Sequence, residues 1–263
     1  MTSPHSKSSV TFASFGKKIA SSRLRAEIPQ EELAKQGIKP GYDVLVYGKH
    51  VVDMKTVKKF KRAVYDVCDD HYHTMHEAYY REHTKNADLV TCNSLAMQEI
   101  IKRETGRDST VIPDPYESEE LPPGIGKGFL WFGHESNLHT ITPYRDLGVD
   151  ILTGDAWSRE RQIARLRDCA AVLLPTDERK AKSANRLIEA IRNGRFPICG
   201  DLPAYEEFKE WVWVGDIREG VEWFNSHQEE IKPRIKDCQD YIRVKYSPSN
   251  IGLQWFKTLE KLR

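Results

Sequence analysis

Lys182, Ser183 and Asn185 stand together just ahead of an apolar-periodic run, and Glu189 follows inside it. A lysine beside unpaired backbone N–H groups at a helix start suits a phosphate, because the dipole and the donors both favour an anion. A diphosphate held this way could leave without repulsion. The plainer reading is a helix capped by Ser183, with a solvated lysine and a surface glutamate. Asp69-Asp70-His71 is the second group. Aspartate and histidine can take a proton from a hydroxyl, which makes Asp69 and His71 the candidate catalytic residues. Otherwise the acids cap the following helix. Gly133-His134-Glu135-Ser136-Asn137 is the third group. Glycine admits close backbone approach, and His134, Ser136 and Asn137 have polar atoms suited to phosphate or sugar, or to a simple turn. Thr153 to Trp157 could cup a base, with Trp157 either stacking or packing. His71, His73, His76 and His83 match no metal-ligand spacing, so no metal site is expected.

These groups need elements that bring them to one edge. Ala171 to Leu174 is a short apolar run closed by Pro175, as expected of a parallel strand covered on both faces. A polar loop, the helix carrying Leu187, Ile188 and Ile191, an Asn193-Gly194 stop and a second strand at 196–199 follow. In such an open sheet, ligands bind beyond the carboxyl ends of the strands. The same alternation runs through the chain. Strands are expected at 10–13, 43–47, 63–68, 87–91 and 110–112, then at 129–132, 149–152 and 212–214. Ser22 can cap a helix that Pro29 kinks or restarts, Asn93 or Ser94 can cap another, and Leu253, Phe256 and Leu259 line the last one. Strands alternating with helices make an α/β fold with parallel sheets. Residues 117–128 (ESEELPPGIGKG) break the alternation and mark a domain boundary. The expected domains are 1–118, with 1–9 disordered, and 127–246, followed by a helix over 247–263. Two such domains would leave a cleft for a ligand with two ends.

With 263 residues, 39% hydrophobic and 30% charged, the chain has a globular composition, and its net charge of +1 does not call for nucleic acid. The odd number of cysteines, five, without C-x-x-C spacing, fits reduced core thiols in a cytoplasmic protein. No run approaches the roughly 20 apolar residues of a membrane span, and the polar N-terminus lacks a signal-peptide core. Lys55, Lys58, Lys59, Lys61 and Arg62 around Phe60 form a solvated face, or one drawn to an anionic membrane or a lipid-linked acceptor.

WFGHESN at 131–137, AAVLLPTDERKAKSANRLIEAIRNGRFPICGDLPAY at 170–205 and the intervening DAWSRERQIARLRDCAAVLLP resemble the nucleotide-sugar-binding domain of GT-B-type glycosyltransferases. SSRLRAEIPQEELAKQG, AVYDVCDDH, ADLVTCNS and VIPDPYE resemble the acceptor-side domain more loosely. The resemblance implies two Rossmann-like domains facing each other across a cleft, with the last helix packing back on the first. It implies transfer of a sugar from a UDP-linked donor to a glycan, lipid-linked or other hydroxyl acceptor, without metal or further cofactor. Lys182, Ser183 and Asn185 would hold the diphosphate and Glu189 the ribose. Gly16, Gly133 and His134 would also face the donor, and Asp69 and His71 would orient or deprotonate the acceptor. Many retaining relatives carry a second glutamate on this loop, but the position eight residues before Glu189 is Ala181. A sugar-nucleotide epimerase or hydrolase, and a non-catalytic nucleotide-sugar-binding protein, are the alternatives on the same fold. A peripheral place at the inner face of a membrane is compatible with each.

Overall fold

The computed structural model describes residues 9–14, 19–49, 52–177 and 181–262. Gly16 and residues 1–8 lie outside them. The chain divides into two units: Met1–Pro115 with Ala181–Ser183 and Lys245–Arg263, and Tyr116–Lys180 with Ala184–Val244.

Unit 1 is built on a parallel five-stranded sheet in sequential order: β1 (Val10–Phe12), β2 (Val44–Gly48), β3 (Arg62–Val67), β4 (Leu89–Cys92) and β5 (Thr110–Val111). Its first helical segments are α1 (Ala20–Ser22), a π turn (Arg23–Glu27) and α2 (Ile28–Lys35), followed by α3 (Met54–Val57), α4 (Glu77–Asn86) and α5 (Leu95–Thr105). Successive strand side chains alternate faces. Leu45, Tyr47, Tyr65 and Val67 pack with Tyr80, Met97 and Ile101 on one side. Val10, Phe12, Val44, Val46 and Val64 pack with Ala26, Leu33, Ile251, Trp255 and Leu259 on the other. Burial on both faces explains the continuous apolar strand runs.

Three details of unit 1 differ from expectation. Ser22 does not cap the helix that Pro29 was expected to kink or restart. Proline has no N–H to donate, and the turn ahead of it is widened instead, with Ile28 N donating to Arg23 O. Ser9, expected in a disordered tail, donates through its backbone N and its Oγ to Asp43 Oδ2 at 2.9 and 2.8 Å. The C-terminal helix (Pro248–Glu260), capped by Ser247, buries Ile251, Trp255, Thr258 and Leu259 rather than Leu253, which is exposed. Its Trp255 meets Phe12 edge-on at 5.1 Å, so it belongs to the unit 1 core.

Unit 2 has a second parallel sheet: β6 (Phe129–Phe132), β7 (Val149–Leu152), β8 (Ala171–Leu174), β9 (Phe196–Cys199) and β10 (Trp213–Val214), in the order β10-β9-β8-β6-β7. Its helices include α6 (Leu138–Ile141), α7 (Arg159–Asp168), α8 (Asn185–Arg192), α9 (Ile217–Ser226) and most of α10 (Gln228–Lys245). Residues 117–128, expected to separate the domains, are instead part of unit 2. They pack on α8 because its polar residues reach them: Arg192 donates to Ser118 O and pairs with Glu120, and its guanidinium lies 4.0 Å from the Tyr116 ring centre. All five cysteines are buried and unpaired as disulfides. Among the described residues no helix is long and apolar enough to cross a membrane.

Candidate functional site

In the second sheet β6 neighbours both β7 and β8, so the strand order reverses at β6. The loops that leave β6 and β8 flank this switch point, the usual ligand position in an open α/β sheet. The β6 loop is Gly133 to Asn137, and the β8 loop leads through Lys182 to α8. Among the described residues the first turn of α8 receives no side-chain cap, its N-cap being Ala184. Ser183 does not cap it as expected. Its Oγ donates to Asp114 Oδ2 at 2.6 Å, because that buried carboxylate is the stronger acceptor. Lys182 and Asn185 are half-buried beside this helix start.

Glu189 is not the surface residue of the plainer reading. It is buried, and its Oε2 accepts from Ser118 Oγ at 2.7 Å and Arg159 Nη1 at 3.0 Å. Its Oε1 meets the backbone N–H of Glu117 at 3.5 Å, the long limit of a hydrogen bond. Arg159 Nη1 also binds Glu117 Oε1 at 3.0 Å. The sequence reading missed Arg159, Ser118 and Glu117. Arg159 follows the Ser158 cap of α7 directly, and that capping pattern is the signal that fixes its place.

Gly133 owes its lack of a side chain to its neighbours. An added Cβ would lie 3.1 Å from the Trp131 ring and 3.3 Å from Arg186 Nη1. Thr153 Oγ1 donates to Gly133 O at 2.7 Å, which ties the β6 and β7 loops together. His134 is exposed, and its Nδ1 accepts from Ser136 N at 3.2 Å. With Nδ1 an acceptor, the neutral ring carries its proton on Nε2, where it can donate outward. Trp157 donates its indole N–H to Gln162 Oε1 at 2.8 Å, which fixes the orientation of the ring.

In unit 1, Asp69 pairs with Lys49 at 2.8 Å. Burial pushes the Asp69 carboxyl up, but Lys49 and His71 outweigh it and hold the group below the ordinary aspartate range. Lys49 was missed in sequence. It follows β2 directly with φ 54°, a left-handed conformation rare for lysine. His71 packs 5.1 Å from the Tyr80 ring, with Nδ1 3.3 Å from Thr74 Oγ1. Asp70 accepts from Tyr72 N at 3.1 Å and shapes the turn. Behind them lies a buried ionic group. Arg25 Nε and Nη2 donate to the two Asp66 oxygens at 2.9 and 2.6 Å, and Nη1 donates to Ile112 O and to Asp114 Oδ1. Burial raises the Asp114 carboxyl against the pull of Arg25. Among the described residues no three His, Cys, Asp or Glu side chains gather as a metal site would require.

No protein-family model and no curated protein matches the chain. Solved structures do match it. Two parallel-sheet Rossmann-like units on one chain are the architecture of GT-B glycosyltransferases. Anabaena HepE, solved with UDP and glucose, aligns at TM-score 0.70 and 12% identity over 96% of this chain and 99% of that one. TarM aligns at TM-score 0.57 and 10% identity over 81% of this chain and 54% of that one. The pneumococcal O-GlcNAc transferase GtfA, solved with UDP and GlcNAc, aligns at TM-score 0.54 and 13% identity over 90% and 60%. The chain thus spans about half of TarM and nearly all of HepE. At these identities the likeness is one of fold.

Proposed function

We propose that this protein is a glycosyltransferase that moves a sugar from a UDP-linked donor to a hydroxyl acceptor. The observation that carries the reading is the reversal of strand order at β6 beside an α8 whose first turn has, among the described residues, no side-chain cap and whose Glu189 is buried and held in place. The N–H groups of that turn, with Lys182 and Asn185, stabilise the negative charge of the departing diphosphate. Ser183, committed to Asp114, anchors the loop that carries Lys182. Glu189 accepts the ribose hydroxyls, and His134 donates from Nε2 to phosphate or sugar. Positive charge from the lysine and helix terminus serves in place of a metal. HepE and GtfA, crystallised with UDP, support the donor class.

On unit 1, Asp69 and His71 face the acceptor side. Asp69, held below the ordinary aspartate range by Lys49, orients the attacking hydroxyl, and His71 takes its proton. The basic run around Phe60 supports a cytoplasmic enzyme resting on an anionic leaflet and using a lipid-linked glycan acceptor.

Thermal shift against UDP, GDP, ADP and CMP tests the donor site, since a ligand that binds only the folded chain raises its stability. UDP is expected to give the largest shift, and Lys182→Ala and Glu189→Ala to reduce it without unfolding the protein. No shift with any nucleotide at millimolar concentration overturns the reading. Release of free sugar from UDP-sugar as fast as transfer to acceptor would favour a hydrolase instead.

A further inference from the structure

We infer that Arg159 is a positioning residue that aims Glu189 at the nucleotide ribose, an inference resting on the donor site proposed above. Glu189 has two oxygens in unlike surroundings. Oε2 is taken by Ser118 Oγ at 2.7 Å and Arg159 Nη1 at 3.0 Å. Among the described residues, Oε1 meets only a long contact from Glu117 N at 3.5 Å. The carboxylate is therefore pinned by one oxygen and presents the other. Two acids share this buried spot, since Arg159 Nη1 also holds Glu117 Oε1 at 3.0 Å. Removing the guanidinium takes a charged donor from Glu189 Oε2 and leaves the carboxylate free to rotate. A rotated Glu189 is a poor acceptor for two vicinal hydroxyls.

The source of the arginine adds a second role. Arg159 sits two residues beyond Trp157, at the first position of α7, whose start is fixed by Ser158 Oγ accepting from Arg161 N at 3.2 Å. The residues suited to a base and the carboxylate suited to a ribose are thus joined through one side chain. Asn193 braces the arrangement from behind, donating to Glu189 O at 2.8 Å and Ser118 Oγ at 3.3 Å. A charged donor binds a carboxylate more strongly than a hydroxyl does, so Arg159 is the stronger positioning group and Ser118 the weaker.

The test is the preference for UDP over 2′,3′-dideoxy-UDP, measured by calorimetry on the full chain. A hydroxyl bound to a charged acceptor makes that preference at least about tenfold in the unsubstituted protein. Arg159→Met is expected to shrink it to about threefold or less, Arg159→Lys to restore part of it, and Ser118→Ala to give an intermediate value. A merely structural role would weaken both ligands alike and leave the ratio unchanged, and an unchanged ratio in Arg159→Met overturns the inference. If Arg159→Met does not fold, Ser118→Ala decides in the same way. Failure of the unsubstituted chain to bind UDP, or to prefer it over the dideoxy compound, overturns the nucleotide-site reading itself.

Discussion

Replacing Arg25 with methionine should unfold unit 1 selectively, by an amount the site itself sets. Arg25 is 2% exposed and donates to both oxygens of Asp66, to Asp114 and to the Ile112 carbonyl. Its guanidinium also lies 5.5 Å from the Trp255 ring centre. Burial works against its charge, and Asp66 and Asp114 outweigh that and keep it protonated. Methionine fills much of the volume but, among the described residues, leaves two buried aspartates with no cation in direct contact. Asp66 keeps Thr91 Oγ1 at 2.7 Å, and Asp114 keeps Ser183. Neutralising one orphaned aspartate at pH 7 costs about 4 kcal/mol, given an ordinary pKa near 3.9 and about 1.4 kcal/mol per unit. Removing one partner of a buried pair typically costs about 3–5 kcal/mol, in agreement. The sign of the pH dependence follows. In the variant the neutralised aspartate gives the folded state one more bound proton than the unfolded state, whose aspartate stays ionised above about pH 4, so stability rises as pH falls. The deficit should therefore narrow by about 1.4 kcal/mol per pH unit between 7 and 5. Native-state hydrogen exchange reads this unit by unit. Amides of β1–β5 should lose protection while those of β6–β10 keep it, and Asp66→Asn added to the variant should return much of the loss. A cost below about 1 kcal/mol, or one independent of pH, would refute the reasoning.

Three further outcomes are expected. Gly252→Ala places a methyl 2.4 Å from Glu32 Cβ, so the C-terminal helix must shift, and unit 1 should lose about 1–3 kcal/mol by the same exchange measurement. Lys49→Met removes the charge that outweighs burial at Asp69, and carbon-detected NMR titration should find that carboxyl moved up. Because a depressed aspartate stabilises only above its ordinary pKa and loses that contribution as pH falls, variant and parent should differ in stability at neutral pH and converge in acid. Charge reversal at Lys55, Lys58 and Lys59 should cut sedimentation with phosphatidylserine vesicles and leave UDP binding intact; unchanged sedimentation would remove the membrane role.

The sequence by itself determined the element order. Apolar runs such as Val44–Gly48 and Ala171–Leu174 are continuous because both sheet faces are covered, and that pattern is local. Ser94, Ser158 and Ser247 mark helix starts because capping is settled within three residues. The chemistry-bearing loops were legible for the same reason: Gly133, Asp69 and Lys182 each follow a strand. Tertiary structure alone decided which charges meet. Ser183 lies beside a helix start, yet it turns to Asp114, 69 positions away in sequence. Glu189 looked like a surface glutamate until Ser118, 71 positions away, and Arg159 closed over it. Arg25 finds Asp66 and Asp114 from a widened helix turn that Pro29 only partly foretells. Periodicity and capping act over a few residues and can be read along the chain. Ion pairing acts through space, depends on burial, and exists only once the sheets have brought distant loops together.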